Sequence, residues 1–393
     1  MSLLVATALA DGSAEDAANT LAADLRKGLG DASPALVCVF ASTKQPLEQV
    51  LSITSAAFPQ ACVVGASTAG EFTEVRDAKG AVTAFAVAGD VVAHAGIGTG
   101  LAANPEAAVS TALSSLPATE SGFPSVTAIM LLDPLTGSGE EAVLIAATML
   151  GDGVPLAGGA AGDDLAMKTT HVGVGTRVAA DAVVLVKLFT KVPLGVGVCH
   201  GHRPLSEPLT VTKASGSVVH EINGRPAWEV WAEHTKSAAR KRGVDPAGLV
   251  DADIGGFLLR YEAGLAAGKD LKIRAPLGRG ADGSLSFACG IPQGAEIRIT
   301  ESEPEEQIDS ARAAAERARA SLGGGKVAGA LVFDCICRNL ILGDRFHAAV
   351  NQVSQALGDV PLAGFETYGE IALAAGDMSG FHNTTTVVLA FPE

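Results

Sequence analysis

The sequence predicts an α/β protein of two tandem, related domains, built from repeated strand–helix–strand units whose mixed sheets are flanked by helices. Three observations carry this. A glycine phrase occurs three times, as "VVGASTAGE" at 63–71, "PLAGGAAGD" at 155–163 and "PLAGFETYGE" at 361–370. Each copy follows an apolar strand, a polar loop and a stretch of helical period, the order that makes a parallel crossover. The 393 residues are 48% hydrophobic and 18% charged, more apolar material than one core needs. An αββα-like sandwich satisfies the same pattern. The boundary falls near 210, giving domains 1–210 and 211–393. There the glycine-rich strands give way to a more polar stretch holding Trp228 and Trp231.

The elements follow in order. "MSLLVATALADG" reads as a first strand, because no Lys or Arg precedes its short apolar run as a leader peptide requires. The first repeat opens with "ALVCVF" at 35–40, and Leu47, Val50, Leu51 and Thr54 share the face of its helix. "VTAFAVAGDVVAHAGIG" at 82–98 reads as two strands joined in a hairpin, as does 177–198. Asn104 and Pro105 start a helix as N-cap and first residue. The second repeat is "VTAIMLL" at 126–132 with the helix "EEAVLIAATML" at 140–150. A weak fourth copy is suggested at 224–238. Residues 302–325 form a polar surface helix with a capping box at Ser302 and Glu305. The third repeat has "AGALVFDC" at 328–335, then Phe346, Val350, Val353 and Leu357 on one helical face.

Composition excludes several roles. A net charge of −15 without a basic stripe argues against nucleic acid. "KSAARKR" at 236–242 reads as a solvated helix end. No apolar run is long enough to span a bilayer. Six scattered cysteines without framework spacing fit a reducing, cytoplasmic setting. No cofactor or metal is expected: there is no Walker, zincin or dinucleotide fingerprint in proper context, and Cys335 and Cys337 have no second pair.

The glycine phrases are the candidate binding elements. A strand that ends in glycines and an acid exposes backbone N–H donors for a carboxylate or phosphate, and offers its own carboxylate to an ammonium. In the first copy these residues are Ser67, Thr68, Gly70 and Glu71. In the second they are Gly159 and Asp163, and in the third Glu366, Gly369 and Glu370. The competing reading is that the glycines only make tight turns and the acids cap. Arg338, near a strand's C-terminal end, could hold a carboxylate bidentately beside Glu370. His200, Cys335, His382 and Asn383 are candidate pocket-lining residues.

The phrases resemble the FIST family, the paired FIST N-terminal and C-terminal domains of bacterial sensory proteins. "VVGASTAGEF", "PLAGGAAGD", "GHRPLSEPLTVTKASGSVVHEINGRPAWEVW", "LVFDCICRNLILG", "PLAGFETYGEIA" and "HNTTTVVLAF" carry the likeness, in that order. The resemblance implies signal transduction through a small polar ligand such as an amino acid. The paired domains use the whole chain, so the signal would leave through a protein partner or a homo-oligomer. The alternative is a hydrolase or transferase using Cys335 or Thr68 as nucleophile and His200 or His382 as base.

Overall fold

A computed structural model describes residues 2–267, 270–374 and 380–393. Among these, three six-stranded sheets share one strand order. The first contains Leu4–Ala10, Val82–Ala88, Pro34–Ala41, Cys62–Ser67, Val172–Val174 and Arg177–Ala179, side by side. The second runs Val91–Thr99, Ala182–Thr190, Ser125–Leu132, Leu156–Ala160, Glu370–Leu373 and Phe381–His382. The third runs Gly195–His200, Thr385–Pro392, Val327–Cys335, Leu362–Thr367, Glu71–Thr73 and Asp77–Ala78. The repeat crossovers are parallel in each: 34–41 with 62–67, 125–132 with 156–160, and 327–335 with 362–367.

The last two strands of every sheet come from a different repeat. The segment after the first glycine phrase pairs with Leu362–Thr367 of the third repeat. The segment after the third phrase pairs with Leu156–Ala160 of the second. The segment after the second pairs with Cys62–Ser67 of the first. The exchange is cyclic and closes on itself.

Each sheet buries both faces, and so its strands read as unbroken apolar runs. One face packs on its own helices. The Ala14–Leu29 and Leu47–Ala57 helices cover the first sheet, Pro105–Leu113 and Gly139–Leu150 the second, and Pro304–Ser321 and Phe346–Leu357 the third. The other face joins a core common to all three sheets, where Phe40 stacks on Phe365 at 4.5 Å and meets Phe333 edge-on at 6.3 Å. Helices therefore lie outside and sheets inside.

The helical faces expected from periodicity are the buried ones: Leu47, Val50, Leu51 and Thr54 in one helix, Phe346, Val350, Val353 and Leu357 in another. Four expectations need correction. Residues 82–98 are not a hairpin. Val82–Ala88 stays in the first sheet, and the chain turns at Gly89 (φ 103°) to enter the second. Residues 177–198 likewise feed three sheets in succession: Arg177–Ala179 the first, Ala182–Thr190 the second after a turn at Asp181 (φ 47°), and Gly195–His200 the third. The helix after 302 is capped by Glu303 and Glu306, one residue later than expected, with Pro304 at its first position. Its alanines form a buried stripe, so close to the Gly195–His200 strand that a Cβ on Gly197 would lie 2.1 Å from the Ala314 carbonyl oxygen. Finally, 224–238 is no fourth repeat. Residues 202–302 form an antiparallel nine-stranded sheet carrying the Ala227–Lys241 and Asp251–Leu258 helices, inserted between Gly195–His200 and Pro304–Ser321.

Candidate functional site

The three glycine phrases meet at one junction. Ala69 N–H donates to the Glu366 carbonyl (3.0 Å) and Glu366 N–H to that of Gly70 (2.8 Å). Gly162 N–H donates to Ser67 (2.9 Å), and Ala160 N–H to Gly369 (2.7 Å). The glycines allow this approach. A Cβ on Gly70 would stand 2.5 Å from the Glu366 carboxyl carbon, one on Gly162 2.7 Å from the Ala69 nitrogen, and one on Gly159 2.6 Å from a Thr367 methyl. A Cβ on Gly369 would enter the Phe381 ring.

The acids serve the same junction. Glu71 accepts from the Thr68 hydroxyl and from Ala81 N–H (3.0 Å). Glu370 accepts from the Thr367 hydroxyl, and from the N–H (3.0 Å) and hydroxyl (2.9 Å) of Thr385. Glu71 therefore ties its phrase to the residue that leads into Val82–Ala88, and Glu370 ties its phrase to the Thr385–Pro392 strand. Both are 0% exposed. Burial pushes the Glu71 carboxyl up to about 8 and that of Glu370 up to about 7, against the pull of these donors. Asp163 accepts from three successive backbone N–H groups, Met167 to Thr169, and from the Tyr368 hydroxyl (2.6 Å). Burial raises its carboxyl, and these donors together bring it below the ordinary range. Ser67 donates to Gly162 and accepts from His171 N–H. Asn339 donates to Glu366 (2.6 Å), whose carboxyl burial holds well above the carboxylate range.

Beyond the junction, the end of the third sheet meets the inserted sheet in a buried polar cluster. Buried Cys335, Arg338, Glu370 and Asn383 and half-buried His200 and His382 lie there, with Arg338 acting on His200, His200 on His382 and Glu370 on Cys335. Arg338 does not pair with Glu370 as expected. Its Nε donates to Asp334 (2.8 Å), its Nη1 to Ser310 (2.8 Å) and Gln307, and its Nη2 to the Gln307 carbonyl (2.9 Å). Asp334 lies four residues earlier across the strand–helix join, a closer anion than Glu370. Burial raises the Cys335 thiol well above its usual value, with Cys337 and Glu370 adding to it. Burial lowers the His382 imidazole to about 4.

His202 and Glu262 link the inserted sheet to this cluster, and of the two sequence reasoning missed Glu262. Both side chains are 0% exposed, with Nε2 and Oε2 3.5 Å apart. Thr300 stands 2.9 Å from the Glu262 carbonyl and 3.3 Å from His202 Nδ1. If its one proton goes to the carbonyl, His202 carries its proton on Nδ1 and turns a bare Nε2 toward Glu262. Burial pushes the Glu262 carboxyl well up and the His202 imidazole well down, so a neutral acid facing a neutral imidazole is the favoured state. The sequence signal for His202 was "CHGHR" at 199–203, where it alternates with His200 as a hydrogen-bonding or pocket-lining histidine; nothing marked Glu262.

The inserted sheet carries a cavity of about 700 Å³ between the end of the Ala227–Lys241 helix and the Asp251–Leu258 helix. Arg242, Asp245, Asp253, Phe257, Arg260 and Tyr261 line it, together with Gly243, Gly248 and Gly256. Arg260 Nη1 and the Tyr261 hydroxyl are buried atoms without a well-formed hydrogen bond among the described residues. Arg242 stands beside that hydroxyl and also forms an ion pair with Glu303. None of these residues was a sequence candidate, and Arg242 belongs to the basic run read as a solvated helix end.

The FIST N domain model matches residues 35–225 and the FIST C domain model residues 227–373. The chain belongs to the FIST family. FIST domains are associated with sensory signal transduction. The seam between the two matches falls inside the inserted sheet, between its Val218–Ile222 strand and its Ala227–Lys241 helix. An uncharacterized protein of Mycobacterium tuberculosis and one of Mycobacterium bovis are each 31% identical over 199 residues. The matched stretch is 50% of this FIST chain and 50% of each relative, so the chain spans about half the length of the curated relatives it matches.

Proposed function

We propose that this FIST chain is a cytoplasmic sensor that binds a small polar metabolite in the inserted sheet and passes the signal through a protein partner or an oligomer. One observation carries the reading. The cavity of about 700 Å³ holds guanidinium, carboxylate and phenol groups beside an aromatic wall. That size and mixture suit a small ligand site, which is typically about 300–1,000 Å³. Arg242 and Arg260 suit a carboxylate, Asp245 and Asp253 an ammonium, and Phe257 a short apolar side chain. An amino acid offers all three. The setting is supported by six free cysteines and by the lack, among the described residues, of a helix long and apolar enough to cross a membrane.

The enzyme alternative draws no support from its named nucleophiles. Cys335 is 2% exposed with its thiol raised by burial, the reverse of an activated thiolate. The Thr68 hydroxyl is buried and donates to Glu71.

A thermal-shift screen of the purified chain against the twenty amino acids and common carboxylic acids tests the reading. A ligand that binds only the folded state raises Tm in proportion to its concentration over Kd. The expected result is a saturable rise for a subset of amino acids. A flat response across the panel would overturn the proposal.

A further inference from the structure

We infer that a carboxylate bound in this cavity draws Arg242 away from Glu303, and that this exchange reports occupancy to the Pro304–Ser321 helix on the repeat core. The inference rests on the cavity being the ligand site and adds how binding there is transmitted.

Arg242 caps the C-terminal end of the Ala227–Lys241 helix, lines the cavity, and pairs through Nη2 with Glu303. Glu303 is the N-cap of Pro304–Ser321, where its carboxylate accepts the backbone N–H of Glu306 while Glu306 accepts that of Glu303 (3.0 Å). One carboxylate thus serves the helix terminus and the cavity arginine together. The Arg242–Glu303 pair is partly exposed, with side chains 29% and 33% accessible, and pairs of that kind are weakly held. The cavity offers a competitor stronger terms. Arg260 lines the cavity with Arg242, and its Nη1 is a buried donor without a well-formed hydrogen bond among the described residues, which is costly to leave unfilled. A carboxylate there can engage the Arg260 and Arg242 side chains together, two guanidinium groups against the single, partly exposed carboxylate of Glu303.

The helix that receives the change reaches the core directly. Gln307, in its first turns, holds Arg338 through both its side chain and its carbonyl, and Arg338 holds Asp334. Asp334 in turn accepts the Thr386 hydroxyl (2.6 Å) on the Thr385–Pro392 strand of the third sheet. A second contact runs beside it: Tyr261 lines the cavity, and the next residue, Glu262, accepts from Thr384 (2.9 Å). Coupling of this kind is reciprocal, so removing the charge of Glu303 must strengthen carboxylate binding if carboxylate binding weakens the pair.

The test is calorimetric titration of the full chain with L-alanine, succinate and acetate, alongside alaninamide as a probe lacking the carboxylate. Glu303→Gln is expected to tighten binding of the carboxylate probes roughly fivefold, within the usual range of couplings. Arg242→Gln is expected to weaken it by roughly tenfold or more. Glu306→Gln disturbs the same helix cap without touching Arg242 and is expected to leave Kd unchanged, which separates exchange from general loosening of the helix. If a carboxylate probe binds wild type and Glu303→Gln equally well, the exchange is refuted while the ligand site stands. Equal tightening by Glu306→Gln refutes it too, as does alaninamide binding as tightly as L-alanine. If no probe binds any of the proteins, the site reading fails and the exchange fails with it.

Discussion

The glycine junction and the inserted cavity use the same residue types and treat them in opposite ways. At the junction, glycines let three backbones touch, and Glu71, Glu370 and Asp163 find their donors within the chain. In the cavity, a Cβ added to Gly248 or Gly256 would meet nothing within 4 Å, and Arg260 Nη1 has no well-formed hydrogen bond among the described residues. A carboxylate or glycine is therefore no guide to binding until its partners are known. The junction holds the fold closed, while the cavity has a spare donor and space.

The largest test of that contrast is paired alanine substitution. In Gly162→Ala the new methyl meets backbone atoms of Thr68 and Ala69 at 2.8 and 2.7 Å, atoms that cannot move aside cheaply. We expect a loss of about 3 kcal/mol in denaturant unfolding. Gly248→Ala should stay within about 0.5 kcal/mol. Similar losses at both positions would erase the distinction.

The second test is pH. Burial raises Glu71 to about 8 and Glu370 to about 7, from 4.5 in the unfolded chain. A raised carboxyl favours the folded state fully below 4.5 and loses that advantage as pH climbs to the folded value. His382, lowered to about 4, acts the other way, costing stability as pH falls from 6.5. The two oppose one another between about 4.5 and 6.5, and above 6.5 the carboxyls remain. Tm should therefore fall from about pH 6.5 to 8, with each titrating group adding up to about 1.4 kcal/mol per pH unit. Glu370→Gln mimics the protonated acid, so its stability should match wild type near pH 4 and exceed it at pH 8. Parallel pH profiles for the two proteins would show that Glu370 titrates normally.

Two smaller effects belong to the cavity. Arg260→Gln should abolish ligand-induced thermal shifts while moving the ligand-free stability by less than about 1 kcal/mol. A large loss of ligand-free stability would make Arg260 a structural residue. Gly256→Ala, inside the Asp251–Leu258 helix, should raise stability by about 0.5–1 kcal/mol through helix propensity and weaken ligand binding by narrowing the cavity.

The repeats and helical faces were legible because they are periodic and local. Leu47, Val50 and Leu51 announce a buried face without knowledge of what covers it. The strand exchange was not legible, because nothing in "EFT" at 71–73 says that its partner lies near residue 364. Arg338 was correctly placed at a strand end, but its partner could be read only once the helix carrying Gln307 and Ser310 was seen to pack there. The cavity escaped because Arg242, Arg260 and Tyr261 are spaced without pattern and meet through the fold of the insert.

The cyclic exchange also dictates an order of assembly. Glu74 bonds the backbone of Leu362 (2.9 Å), 288 residues further along the chain. On the ribosome, the first sheet can be completed once residue 179 has emerged, but the second and third both wait for strands made in the last thirty or so residues. Until then the Leu156–Ala160 and Glu71–Thr73 strands present unpaired edges, the hallmark of slow, aggregation-exposed folding. A chain cut at the seam between its FIST N and FIST C segments would inherit that unfinished state permanently, each half keeping a sheet whose closing strands lie on the other.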